Sequence, residues 1–389
     1  MEIEGSNPSR VAIVGSADSH AYLKPSSSVL GARLFRLVCF VGVSTLAGHA
    51  WAQVAATPDG RGPEARRGPL DIRDEHLLAQ PRLALPAVSP HTVPQGTWTL
   101  DVSVLVSNSF SWTQDIPGEN PGQRLFLIDG EALSLAIAAR RGLGPDLDVG
   151  VRVPLRHRSG GILDGFIDAW HRALNIEDAS RPSFLRDAYR IEGTTTDGME
   201  FSWSADEGTG LGNIETDIRW RAVDGDPDHA SVALVGRLSL PTGTGPFGEH
   251  GLGAGAQVVA DVPLGRTIDL YLGAGATVQE AGPVQRVRYR HTRAHGFAAF
   301  EWRPWKRVSL LVETNAASRL VTNISTYPGL HWLVSVEGRV DLGETLRLEL
   351  GLPENLIDQQ GTTDLAFFFG FGWRPGRAAT TISGHGQDH

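Results

Sequence analysis

The chain has 389 residues, 41 % apolar and 20 % charged, with a net charge of −9 and one cysteine. That balance excludes a nucleic-acid binder, which needs a basic surface to neutralise phosphates, and the lone Cys39 excludes a disulfide scaffold. Past residue 52 no uncharged apolar run approaches the ~18 residues of a membrane helix, so a helical membrane protein is excluded too.

In chain order, the first signal is a targeting segment. Arg33 and Arg36 precede the apolar run Leu37 to Leu46, and Ala50-Trp51-Ala52 follows. A positive region, a short apolar core and a small-residue site predict a secretory signal peptide cleaved before Gln53. Residues 1–52 are then an over-extended start plus the signal peptide, and Cys39 leaves with it. Residues 53–95 are rich in Pro, Gly and charge and are expected to form an extended lead-in on the periplasmic side.

From Gly96 the pattern takes a period of two. Trp98, Leu100, Val102, Val104 and Val106 alternate with Thr99, Asp101, Ser103 and Ser107. The alternation persists far beyond the five or six residues of a typical soluble strand and meets the ~9–11 needed to cross a bilayer. It returns near residues 133–140, 147–156, 213–221, 231–240, 254–262, 268–278, 287–302, 308–319, 331–341, 345–350 and 365–374, which makes twelve strands. Links after even-numbered strands are short, and those after odd-numbered strands are mostly longer, the largest running from Arg158 to Gly210. Short turns at one rim and long loops at the other mark an all-β, antiparallel, up-and-down outer-membrane barrel over residues 96–374. Residues 375–389 are expected to be a flexible tail.

Charge decides which face looks outward. Carboxylates and guanidiniums cannot face lipid, where one charge costs ~2–4 kcal/mol near the midplane. Asp101, Asp148, Arg152, Glu215, Asp217, Arg219, Arg221, Arg237, Asp269, Glu313, Glu337, Arg339, Arg347 and Glu349 are therefore expected to line the lumen. Trp98, Trp112, Trp220, Trp302, Trp305, Trp332 and Trp373 fall at or near strand ends, where tryptophan girdles form at the headgroups.

Within the longest loop, Leu163, Phe166, Ile167, Trp170 and Leu174 share one face of a helix, while Asp164, Asp168 and His171 form a stripe on another. Such a helix is expected to fold over the barrel mouth as a gate, with Asp164, Phe166, Asp168, Trp170 and His171 as the gate candidates. His291 and His295 lie on or beside a strand, where same-face residues four apart are ~13 Å apart and share no metal. Arg286, Arg288, Arg290 and Arg293 suit lipopolysaccharide phosphates or an anion-selecting mouth. Gly251, Gly253 and Gly255 open a strand rather than a helix, so they form no dinucleotide site. No catalytic motif, metal site or cofactor is expected.

Several pieces carry a resemblance: Gly68-Pro69-Leu70, Ser107-Asn108, Asp129-Gly130-Glu131, the run from Gly160-Gly161 through Asp164 to His171, Gly210-Leu211-Gly212-Asn213 and Leu240-Pro241-Thr242-Gly243. They resemble the bacterial domain-of-unknown-function 3187 family, taken to be outer-membrane barrels. The family usually has Asp where this chain has Asn213. The resemblance implies fold and location and brings no substrate. The reading is a narrow pore or carrier for small solutes or lipophilic molecules, gated by the loop 158–210. The alternatives are an outer-membrane lipid-modifying enzyme and a structural or envelope-interaction barrel. The implied partners are outer-membrane lipids and lipopolysaccharide, the barrel-assembly machinery and an unidentified small solute.

Overall fold

The structure, a computed structural model, describes residues 67–114, 124–174, 184–203, 206–225, 228–248, 251–280, 286–324, 327–355 and 361–374. The expected signal peptide, residues 53–66 and the C-terminal tail lie outside the described residues. The elements in order are β1 (Trp98–Gln114), β2 (Arg124–Gly142), β3 (Leu147–Ser159), α1 (Asp164–Leu174), β4 (Arg190–Thr194), β5 (Glu200–Ser202), β6 (Gly208–Leu211), β7 (Ile214–Val223), β8 (Ser231–Leu240), β9 (Gly253–Gly265), β10 (Ile268–Gln279), β11 (Thr292–Trp305), β12 (Val308–Ser318), β13 (Leu330–Leu342), β14 (Leu346–Glu354) and β15 (Leu365–Trp373).

Twelve strands, β1–β3 and β7–β15, pair antiparallel in sequence order, and β1 pairs β15 to close the barrel. Closure removes every unpaired edge, which hydrocarbon would not tolerate. β4 continues the wall beside the upper part of β2, β5 pairs β4, and β6 continues the line of β7 along β3. All three belong to the long loop.

The register separates the faces. Val104 stands opposite Leu135 and Phe369 on the outside, and Ser103 stands opposite Ala136 and Gly370 on the inside. In β8 Arg237 is 5 % exposed and its neighbour Leu238 is 44 % exposed, the reverse of a water-soluble fold. Trp98, Trp220, Trp302, Trp305 and Trp373 are exposed near the short-turn rim. Trp112 and Trp332 lie at the opposite ends of β1 and β13.

Two placements differ from the sequence reading. The first is the Pro-rich lead-in. Residues 67–95 do not trail on the periplasmic side: they run through the barrel interior, rising to a turn at residues 76–82 and returning to β1. Buried Leu70, Ile72, Leu77, Leu78 and Leu85 pack there against inward-facing strand residues, and Leu83 is buried with them. Prolines deny this segment a ladder of its own, so it carries no periodicity to betray its burial.

The second is α1. The helix forms where the spacing predicts, but it lies on the outer wall. Phe166 meets the outward Phe367 edge-on at 5.5 Å and stacks on Trp170. The buried stripe is Asp164, Ile167, Asp168 and His171, while Phe166 is 46 % and Ile162 85 % exposed. Here the wall supplies polar groups and the surroundings are apolar, so the amphipathic faces swap. Asn108 donates to Asp164 (3.3 Å), Arg186 to Asp168 (2.5 Å), and the backbone N–H groups of Ile162 and Leu163 to Glu131. Gly161 adopts φ +79°, and a Cβ there would stand 1.8 Å from the Glu131 carboxyl carbon. The resemblance motifs Ser107-Asn108, Asp129-Gly130-Glu131 and Gly160-Gly161 to His171 thus meet at one docking point.

The faces are testable. Val104→Arg should impair insertion strongly, since a mid-depth lipid-facing Arg costs ~2–4 kcal/mol, whereas Ser103→Arg enters an internal cavity and should be tolerated. The readout is the gel-mobility shift of folded barrel between unheated and boiled samples. Equal loss at both positions would show the faces to be misassigned.

Candidate functional site

The lumen is the candidate site, and the inner segment 67–95 fills much of it. Its backbone polar groups have no ladder, so lumen side chains satisfy them. Arg339 donates to the Gly68 carbonyl (2.7 Å) and Tyr271 accepts from the Gly68 N–H (3.2 Å). Ser107 donates to the Glu75 carbonyl (3.2 Å), Gln279 accepts from the Leu83 N–H (2.8 Å), and Gln257 donates to the Pro86 carbonyl (3.2 Å). Arg219 donates to the carbonyls of Ser89 and His91 at 2.6 and 2.7 Å. Ion pairs fix both arms. Arg67 reaches Asp341 (2.6 Å), Arg73 reaches both oxygens of Glu215 (2.8 Å each), and His91 bonds Asp261 (2.7 Å).

Every lumen residue expected from charge and parity points inward. Asp148 pairs with Arg140 and accepts the Val93 N–H at 2.8 Å. Asp217 pairs with Arg140, and Arg221 with Asp146 at 2.8 Å. Asp269 pairs with Arg303, Arg339 with Glu349 (2.8 Å), and Arg347 with Asp341 (3.1 Å). Glu313 accepts from Asn315, and Glu337 accepts from Ser335 at 2.6 Å. Asp101 lines the vestibule described below. The gate candidates Asp164, Phe166, Asp168, Trp170 and His171 stand together on the outer wall, away from this set.

Sequence reasoning missed Asp71, Arg73, Arg140, Arg303 and Asp341. Asp341 shares the parity of Glu337 and Arg339 along β13, and Arg140 that of Ser134 along β2, so the signal was present for both; Arg303 lies just past the periodic stretch 287–302. Asp71 and Arg73 offered no period; the available clue was the aliphatic density around them, high for a segment in water.

The two ends of the lumen differ. At the long-loop end a hydrophobic cap is packed from the tip of the inner segment (Leu77, Leu78), from β2 (Phe126, Ile128), from the β4–β5 hairpin region (Ile191, Phe201, Trp203) and from later loops (Val287, Leu320, Tyr327). Burial, with the Asp74 carboxylate nearby, pushes the Tyr327 phenol well above its usual range. It stays neutral and donates to the Gly361 carbonyl at 3.0 Å. At the short-turn end a cavity of about 1140 Å³ reaches the turns at Lys306 and Glu344. We call it the vestibule.

The sequence profile of proteins of unknown function DUF3187 matches residues 49–374, which span the whole barrel and its inner segment. The chain belongs to the DUF3187 family. No curated protein matches it in sequence. Among solved structures, this DUF3187 barrel is similar to the COG4313 outer membrane channel of Pseudomonas putida F1, at 11 % identity and a TM-score of 0.52, over 75 % of this chain and 100 % of that one. The toluene transporters TbuX of Ralstonia pickettii (9 % identity, TM-score 0.37, 72 % and 90 % covered) and TodX of Pseudomonas putida (11 %, 0.36, 72 % and 89 %) superpose more loosely. At these identities the likeness shows the outer-membrane barrel fold.

The anchoring of the inner segment yields a prediction. Arg73→Ala leaves Glu215 buried without its main partner, a change of about 3–5 kcal/mol for a buried pair. Residues 67–95 should then become open to protease added from the periplasmic side, while the barrel keeps its unheated gel mobility. Unchanged protection would mean that this pair does not hold the segment.

Proposed function

We propose that this DUF3187 protein is an outer-membrane passage, a narrow pore or carrier for small solutes, held shut in this conformation by the hydrophobic cap. The observation that carries the reading is the vestibule: a large cavity lined by charged side chains reaches the short-turn rim, and the hydrophobic cap lies at the other end of the lumen. A barrel serving only as a scaffold has no use for so large an unfilled volume. The seal is built from the tip of the inner segment and from the β4–β5 region, so the loop 158–210 takes part in gating through Ile191, Phe201 and Trp203 rather than through α1. The outer wall at α1, with its apolar face outward, suits contact with outer-leaflet lipid. The similar outer membrane channel of Pseudomonas putida F1 accords with this reading.

Trp203→Ala tests the seal. Trp203 is 1 % exposed, and removing a buried Trp side chain costs about 3–5 kcal/mol of packing. Liposomes carrying the variant should swell faster in small osmolytes than wild type. Deleting residues 161–175, which removes α1, should leave swelling unchanged. Faster swelling after the α1 deletion but not after Trp203→Ala would return the gate to the helix; no swelling from any form would end the passage reading.

A further inference from the structure

Cations exceed anions in the vestibule, although the chain as a whole is acidic. Twelve Arg and Lys side chains line it against seven Asp and Glu. Asp148, Asp269 and Glu301 are buried behind the lining and pair with it, which still leaves an excess of positive charge. We propose that the inner end of the vestibule, at Arg152 and Arg237, is a binding site for a small solute bearing an oxyanion, a carboxylate or a phosphate. Its role in transport rests on the passage reading; the binding itself does not.

The argument begins with how the local carboxylates are used. Arg73 takes both oxygens of Glu215 at 2.8 Å and reaches Asp71 through Nε at 3.1 Å. Arg237 stands 3.6 Å from Glu215 and Arg152 3.9 Å from Asp71, both beyond hydrogen-bonding distance. Arg152 Nη1 and Arg237 Nε and Nη1 have no hydrogen-bond partner among the described residues. Both residues line the cavity, and both are more than nine-tenths buried, at 8 % and 5 % exposure.

A buried N–H without an acceptor is costly, and a guanidinium cannot shed its proton to escape. Water in the cavity can accept these hydrogen bonds but brings no compensating charge. A carboxylate or phosphate supplies both, and its paired oxygens match the planar fork of Arg. The site also has a direction. Arg152, Arg156 and Arg158 stand on one inward row of β3, leading from the vestibule toward the cap. Arg156 is also short of a partner at Nε, and its Nη1 donates to the Phe247 carbonyl at 2.6 Å. On the opposite wall the buried Glu313 accepts from Asn315 and Glu337 from Ser335, both neutral donors.

The test is calorimetric titration of inorganic phosphate, and separately of succinate, into the whole chain folded in detergent. Wild type should bind at least one of the two. Arg152→Gln with Arg237→Gln should weaken that binding about tenfold or more, whereas Arg266→Gln, at an exposed residue of the β9–β10 turn outside the cavity lining, should leave it unchanged. Loss of unheated gel mobility in the double variant would shift the test to Arg237→Lys, which keeps the charge without the fork and should bind more weakly than wild type. No binding of either anion by wild type overturns the site, as does equal binding by a folded double variant. The two readings separate cleanly. Phosphate binding by a protein that passes no osmolyte, even as Trp203→Ala, leaves the site standing and the passage reading fallen. Osmolyte passage without anion binding does the reverse.

Discussion

Everything in this molecule follows from the seam between β1 and β15. Nine residue pairs, from Leu100 opposite Trp373 to Asn108 opposite Leu365, join the first strand to the last. In hydrocarbon an open strand edge would leave several kcal/mol unsatisfied at each backbone group. Once the seam is made, each spanning residue has one of two destinations. Leucines go to lipid, and Arg, Asp and Glu go to an interior that has to accommodate them.

That interior is crowded with charge, and the inner segment is shaped to it. Its prolines prevent a ladder, so guanidiniums and side-chain amides from the wall bind its carbonyl groups one at a time. Pairs such as Arg73 with Glu215 gain Coulombic attraction and lose hydration in similar measure. They define position more than they add stability. A segment held in this way is well placed without being permanently fixed, as the proposed passage would require.

The barrel was legible in the sequence because a period of two, sustained over ten residues or more, has few other readings, and because the charged members of each strand identify the inner face. Arg237 beside Leu238 is enough to orient β8. The interior segment was not legible, because a chain bound by another element's side chains owes its conformation to partners far away in sequence. Leu77 and Leu78 look like any aliphatic pair until Phe126 and Tyr327 are beside them. The helix α1 was legible as a helix and misread as a lid. Its periodicity reports which residues share a face, and only the solvent on each side says which face is buried. On a wall bearing Asn108 and Glu131, within an apolar medium, the carboxylate and imidazole stripe turns inward.

The position of the inner segment also sets an order of events in assembly. Arg67 bonds Asp341 across a sequence separation of 274, and Arg339 holds Gly68 across 271. The residues made first therefore wait for partners made last, and contacts of such separation form late in folding. A barrel already closed offers only its ends as entrances, whereas a curling sheet still open between β1 and β15 offers a full-length side. The wall can thus be wrapped around its own leading segment, with Arg73, Arg219 and Arg339 gathered onto that segment as the strands arrive. On that order of events the stretch before β1 would act as a mandrel for the barrel before it serves as the occupant of its lumen.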